Sequence, residues 1–443
     1  MACEQVTLQD VCELIVDCPH TSAKDEGVGY PLIRTPNVGR GRLILTDVHR
    51  VSQDVYERRV SRAVPRQGDL IFAREAPAGN VAIVSPGIEV CLGQRTMLLR
   101  PDSSFVVPEY LNYYLNAPEQ RDRMLRLANG ATVSHINVAD IRNMPVQLPS
   151  RGEQSKVAEL LNVLDDKIDL NNRLNDYLAD FASTVFQNQA SHIEERIALF
   201  DIADIKYGKG LAKNELVEDG YPVFGGNGQI GFYSKYLYEE PQILISCRGA
   251  ASGKVLVSLP KSFITSNSLI IELKDRRYYE YLKQYFMLHQ LYDYATGSAQ
   301  PQITIDGLRH LTVPYPPFDL IKTLTNQLKA ISDCIYSNDI ENQALSRLRD
   351  TLLPKLMSGE IDVSKVDLTQ LTNNHLSGCG SFCSVCCPSG LASEFHEWFR
   401  EHFSLVTVTY AKQIWDGRIC PKDTKEEESC RLVVTVIEVG SKN

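Results

Sequence analysis

The chain repeats itself. Displaced by 167 positions, Gly130-Ala131-Thr132 and Ile136 fall on Gly297-Ser298-Ala299 and Ile303, and Ile141-Arg142-Asn143-Met144 falls on Leu308-Arg309-His310-Leu311. The same displacement carries Val157, Leu161, Leu164, Ile168, Asn171, Asn175 and Leu178 onto Leu324, Leu328, Ile331, Ile335, Asn338, Asn342 and Leu345. These positions advance by alternating steps of four and three, the spacing of an apolar seam between paired helices. An Asn in such a seam costs stability but fixes register and partner number. Two Asn recurring at the same two seam positions therefore weigh more than Leu matched with Leu. The fold must accommodate one unit used twice.

Upstream, with small gaps, Gly68 to Val81 parallels Pro241 to Val255, which sets Arg74 against Arg248 and Gly79 against Gly253. Tyr30-Pro31 parallels Tyr221-Pro222 at a wider offset that implies inserted loop residues. Apolar runs such as Asp69-Leu70-Ile71-Phe72-Ala73, Val81-Ala82-Ile83-Val84, Ile243-Leu244-Ile245 and Leu269-Ile270-Ile271 are bounded by Gly, Pro and Ser, which is strand and turn chemistry. Helices are expected over 108–128 and 277–295, and long ones over 153–187 and 319–357. The expected fold is α+β: two similar mixed α/β blocks separated by two long antiparallel coiled-coil helices, with pseudo-twofold symmetry inside one chain. The segments run 1–150 (first block), 151–198 (first helix), 199–318 (second block), 319–360 (second helix) and 361–443 (tail). Asp in place of Leu161, Leu164, Leu328 and Ile331 is expected to abolish helix pairing or partner assembly while each block still folds as a fragment.

At 443 residues, 43% hydrophobic and 23% charged, the chain has the composition of a folded soluble protein. No stretch reaches the ~18 apolar residues of a membrane span, and Glu4 and Asp10 stand where a signal peptide would be basic and then apolar, so a cytoplasmic location is expected. The net charge of −9 hides a pattern: residues 1–150 hold 16 basic against 17 acidic side chains and residues 200–318 hold 12 against 12, so the acidity belongs to the other segments. In the first block 15 of the 16 basic residues are Arg, whose planar fork suits phosphates and guanine edges.

No catalytic motif survives scrutiny. Gly226-Asn227-Gly228-Gln229-Ile230-Gly231 fits G-x-G-x-x-G but leads into Phe232-Tyr233-Ser234-Lys235-Tyr236, strand-like rather than helix-opening, so it reads as a glycine turn. Gly249 to Val255 is one residue short of a P-loop and lacks its Ser/Thr. Tyr315-Pro316-Pro317-Phe318 carries a phenol where amino-methyltransferases place Asn or Asp, and reads as a stop before a helix. In the tail, Cys379, Cys383, Cys386, Cys387, Cys420 and Cys430 with His375, His396 and His402 lack two separated ligand pairs, so no metal site is assigned.

The remaining signal is recognition. Arg34, Asn37, Arg40 and Arg42 lie in a Gly-containing loop of the first block, and Asn227, Gln229, Tyr233 and Lys235 in the corresponding region of the second. Arg74, Arg248 and Lys254 flank small-residue loops matched across the repeat. These residue types read base edges and phosphates. Thr132, Ser134 and His135, with Ala299, Pro301 and Gln302, are weaker candidates.

Over roughly residues 1–360 the sequence resembles the specificity subunit of type I restriction-modification systems. Leu148-Pro149, Glu153-Gln154-Ser155-Lys156-Val157-Ala158 and Leu164-Asp165-Asp166-Lys167-Ile168 resemble the family's first conserved region. Leu345-Ser346-Arg347-Leu348-Arg349-Asp350-Thr351-Leu352-Leu353-Pro354-Lys355-Leu356-Met357-Ser358-Gly359-Glu360-Ile361 resembles its second. The resemblance implies a non-catalytic reader of double-stranded DNA whose two target-recognition domains each bind one half of a split, adenine-containing site. It further implies that the helices dock two modification subunits carrying S-adenosylmethionine, and that a restriction subunit using ATP and magnesium can join them. No cofactor is expected on this chain. The alternative reading is a coiled-coil scaffold whose blocks bind proteins. Residues after about Val363 have no counterpart in the family pattern, as a frame change or a fusion would produce.

Overall fold

Runs of Leu, Ile, Val and Phe, each closed by Gly, Pro or a polar turn, form short strands, and the two seam-bearing stretches form helices of 40 residues each. The computed structural model describes residues 4–128, 135–190, 193–297 and 300–363. The Cys and His of the tail lie outside the described residues, as do Thr132, Ser134 and Ala299. Among the described residues no helix is long and apolar enough to cross a membrane, and no three or more His, Cys, Asp or Glu gather as a metal site. They fall into two compact units, one of residues 4–171 with 340–363 and the other of 172–339. Each unit thus takes one block together with half of each long helix, rather than following the linear segments.

In chain order the first unit holds β1 (Glu4–Thr7), β2 (Cys12–Asp17), β3 (Tyr30–Ile33), β4 (Gly41–Arg42), β5 (Arg50–Val51), α1 (Gln53–Val60), β6 (Leu70–Ala73), β7 (Val81–Ile83), β8 (Cys91–Leu92), β9 (Thr96–Pro101), α2 (Pro108–Asn116), α3 (Pro118–Leu127), α4 (Val138–Arg142), β10 (Pro145–Leu148) and the start of α5 (Arg151–Ala190). The second holds the rest of α5, then β11 (Arg196–Ala198), α6 (Leu199–Ile202), β12 (Ala203–Tyr207), β13 (Tyr221–Gly225), β14 (Gly228–Tyr233), β15 (Ile243–Ser246), β16 (Val255–Val257), β17 (Phe263–Ile264), β18 (Ser268–Leu273), α7 (Tyr279–Leu288), β19 (Thr312–Pro314) and most of α8 (Phe318–Met357). The helix expected over 108–128 is two helices, because Pro118 has no N–H to continue α2 and instead opens α3. The one expected over 277–295 ends at Leu288.

Among the described residues three sheets occur in each unit, with the same strand order. β2-β9-β6-β7 matches β12-β18-β15-β16, β5-β3-β8 matches β14-β13-β17, and β1-β10 matches β11-β19. The sense of pairing agrees as well: β3 runs parallel to β8 and antiparallel to β5, as β13 does to β17 and β14. The first unit has one strand more, β4, which pairs parallel with β7 through Gly41↔Ala82 and Arg42↔Ile83. It arises because the β3–β5 connection spans residues 34–49, whereas β13 and β14 are joined by Gly226-Asn227 alone. The G-x-G-x-x-G match is therefore a hairpin turn followed by a strand.

Each core includes its helices. In the first unit Val157, Leu160, Leu161, Leu353 and Leu356 belong to one buried cluster with Leu8, Phe72, Tyr110 and Val146. In the second, Leu178, Phe181, Leu324, Leu328 and Ile331 join Ile243, Leu269, Tyr281 and Phe286. This corrects the expectation that a block folds as a fragment once the seam is broken, since removing the helix halves would expose the floor of the block's own core.

Within the first unit Asn171 Nδ2 donates to Asn342 Oδ1 at 2.9 Å and to Glu341 Oε2 at 2.8 Å, and Arg349 Nη1 reaches Asp165 Oδ1 at 2.7 Å. Within the second, Asn338 Nδ2 donates to Asn175 Oδ1 at 2.7 Å, and Asn175 Nδ2 to Asp339 Oδ1 at 2.9 Å. In both cases the donor is the first seam Asn of its copy and the acceptor the second seam Asn of the other copy.

Burial pushes the Cys12 thiol up to about 12 and the Cys91 thiol to about 11. A raised thiol stays protonated below that value, so at pH 8 roughly one Cys91 in a thousand is the reactive thiolate. Maleimide labelling at pH 8 followed by peptide mass mapping should leave both residues unmodified in the native chain and modify them in urea.

Candidate nucleic-acid interface

The first unit commits several of its candidate residues to its own structure. Asn37 is buried; its Oδ1 accepts from the Arg34 backbone N–H at 3.2 Å and its Nδ2 donates to Ile44 O at 3.1 Å, so it shapes the loop. Arg34 is half-buried against Gly93, where a Cβ would stand 2.8 Å from its Cγ. Arg42 donates to Asp166 Oδ1 at 2.6 Å and lies 3.9 Å from Asp169, fastening β4 to α5. Arg74 Nη1 donates to both oxygens of Asp17 at 2.8 and 3.0 Å, and its Nε to Ile136 O at 3.1 Å. What stays exposed is Arg40, close enough to Arg121 to disfavour that residue's charge, after the larger effect of burial. Arg121 Nη1 in turn holds Asn80 Oδ1 at 2.8 Å, so Arg40 stands over a loop tied down by a second arginine.

The second unit leaves more free. Asn227 at the hairpin turn accepts from Lys254 Nζ at 3.0 Å, joining two candidates that the sequence separates by 27 positions. Gln229 and Lys235 are exposed on and just after β14, and Tyr233 is half-buried edge-on to Phe263. Arg248 is exposed on the loop after β15, bridged through its backbone to Gln302, and its guanidinium makes no hydrogen bond or ion pair among the described residues. The β15–β16 loop is thus met by two others, at Lys254 by Asn227 of the β13–β14 turn and at Arg248 by the backbone of Gln302.

Strand registers correct the pairing of Arg74 with Arg248. The Arg74 N–H donates to Arg95 O and its carbonyl accepts from Ile136, while the Cys247 N–H donates to Asn267 O and its carbonyl accepts from Ile303. One residue earlier, Ala73 and Ser246 each donate to the residue before the next strand, Asn80 and Lys254. Arg74 therefore matches Cys247, and Arg248 matches Glu75. The pairing of Gly79 with Gly253 stands: both have positive φ, +80° and +99°, and both donate back to those same residues, Ala73 and Ser246.

The type I restriction modification DNA specificity domain matches this sequence twice, over residues 2–179 and 195–348. The chain belongs to the type I DNA specificity family. Two matches in one polypeptide coincide with the two sets of sheets. Among relatives of this specificity protein, the Methanocaldococcus jannaschii type I restriction enzyme MjaIX specificity subunit is 23% identical over 344 residues, covering 68% of this chain and 79% of the relative. The Haemophilus influenzae HindI specificity subunit is 21% identical, covering 67% and 87%. The crystal structure of the type I restriction-modification S subunit of M. genitalium shares the fold, with a TM-score of 0.50 at 18% identity over 80% of this chain and 96% of that one.

Two features of this specificity protein escaped sequence reasoning. Arg121 bears no local signal, and Asp17 lies 57 residues from the arginine it binds. Because Asp17 and Arg74 are mostly buried, Arg74→Ala would leave that carboxylate with only the exposed His20 ring and the Cys18 N–H, an effect of about 3 kcal/mol. Thermal unfolding should register that loss, and sequence preference should not change.

Proposed function

We propose that this chain is the DNA sequence-recognition subunit of a type I restriction-modification complex. Each block reads one half of a bipartite, asymmetric DNA site. Helices α5 and α8 pair antiparallel as a coiled-coil strut, related by a pseudo-twofold axis that exchanges the two copies, and dock two modification subunits. The chain itself is not catalytic. S-adenosylmethionine, and ATP and magnesium where a restriction subunit joins, belong to the partners.

The observation that carries this reading is the duplication of one sheet topology under dissimilar exposed side chains: Arg40 on one block, Asn227, Gln229, Lys235 and Arg248 on the other. Scaffolds of the same strand order with different donors at their loops suit two unequal half-sites, because base edges are distinguished by donor and acceptor pattern. Mixed with its cognate modification subunits, the chain should direct adenine methylation to a single two-part sequence, and alone it should methylate nothing. Methylation by the isolated chain, or uniform methylation of random duplexes by the full complex, would overturn the proposal.

A further inference from the structure

Among the described residues strand β4 has no counterpart in the second unit, and none of them fills the place it would occupy. In the first unit β4 lies on the outer edge of β7, where Asn112 Nδ2 donates to Gly41 O at 3.0 Å and Arg42 binds Asp166. The matching edge in the second unit belongs to β16. Its residues alternate: Leu256, like Ala82, faces the inner strand, and Val255 and Val257, like Val81 and Ile83, turn their backbone groups outward. The Val255 N–H is satisfied by Gln290 Oε1 at 2.7 Å, as Val81 is by Asn116. Beside Val257 no strand lies on the outer side among the described residues.

A cleft of about 880 Å³ opens there. Its lining includes Val257 together with Lys283, Asp333 and Tyr336. These are the positions that β4 meets in the first unit. Glu280-Tyr281-Leu282 on α7 repeats Glu109-Tyr110-Leu111 on α2, which sets Lys283 at the place of Asn112. The 167-residue displacement sets Asp333 and Tyr336 at the places of Asp166 and Asp169. Two further residues of the lining, Tyr279 and Thr325, bury hydroxyl oxygens that have no hydrogen-bond partner among the described residues.

We propose that this edge and cleft take an extended segment of a partner polypeptide, a glycine followed by an arginine, as a fifth strand parallel to β16. The occupant's chemistry is written in the first unit. A bare sheet edge offers main-chain hydrogen bonds to an added strand. Glycine suits the first position because Gly41 adopts φ +96°. Arginine suits the second because Asp333 stands where Asp166 receives Arg42, and its present partner Lys329 is an exposed i,i+4 contact that a bidentate fork can displace. The inference rests on the repeated fold and not on DNA reading, so it stands or falls by itself.

The test is a titration of the full chain with a fluorescent peptide copying its own residues 37–45 (NVGRGRLIL), read by anisotropy. Saturable binding is expected, at least tenfold weaker for Val257→Pro, which removes the outward N–H and leaves the donors facing β15 in place, and for Asp333→Arg. A peptide carrying Arg42→Glu should bind the Asp333→Arg chain better than it binds the unaltered one, a reversal that misfolding could not produce. Absence of saturation up to about 1 mM would overturn the proposal. So would binding indifferent to all three changes. A cleft already filled by the chain's own residues 364–443 would read as no binding and would likewise reject a partner as the occupant.

Discussion

Leu161→Asp is expected to unfold the first unit and leave the second standing. Leu161 is fully buried in the cluster that joins α5 to the block's sheet and to Leu353 and Leu356 of α8. Deleting such a side chain costs about 2–5 kcal/mol, and placing an unpaired carboxylate there adds several more. Together these approach the ~5–15 kcal/mol that holds a typical domain folded. Hydrogen exchange should show protection lost across 4–171 and 340–363 and retained across 172–339. Leu328→Asp, 1% exposed in the other core, should give the reciprocal pattern. Uniform loss in both variants would mean that the two cores are one cooperative structure.

Arg248→Ala should change recognition at one half-site and leave the other intact. Its guanidinium is uncommitted among the described residues, unlike those of Arg42 and Arg74, so its removal leaves no buried charge and the fold unharmed. An arginine reading a guanine edge contributes about 1–3 kcal/mol of discrimination, roughly 5- to 150-fold. Sequencing methylated adenines in cells that carry the variant with its modification partners should reveal relaxed preference at one position of one half-site. Arg40→Ala should do the same in the opposite half. Relaxation of both halves by either substitution would contradict the assignment of one block to each.

The long helices were legible because their seam repeats seven times over at fixed spacing, and the observed ends, 151–190 and 318–357, lie within three residues of those expected. The Tyr30-Pro31 and Tyr221-Pro222 match also reflects real equivalence, since both dipeptides open the central strand of their three-stranded sheets. Arg74 and Arg248 were mispaired because the second loop is one residue longer, and only the hydrogen-bond register reveals where the extra residue sits. Strand β4 is two residues long, too short for alternation to betray it. Arg42 reads as a free cation in the sequence because its acceptor is 124 residues away. Local pattern recovers elements and their repetition, while the fate of a charged side chain depends on partners brought near only by folding.

The two-stranded sheets at the margins of the blocks have a genetic consequence. β1 lies against β10 from Glu4↔Leu148 to Thr7↔Pro145, and β11 against β19 from Arg196↔Pro314 to Ala198↔Thr312, so in each block the opening strand is clasped to the strand that leads into the long helix. Beyond both clasps the contact continues alike, with Leu8 donating to Met144 and Leu199 to Leu311. A crossover between genes that joined there would transplant a whole reading head without disturbing the support, and new pairings of half-sites could arise by exchange of cassettes in place of gradual substitution.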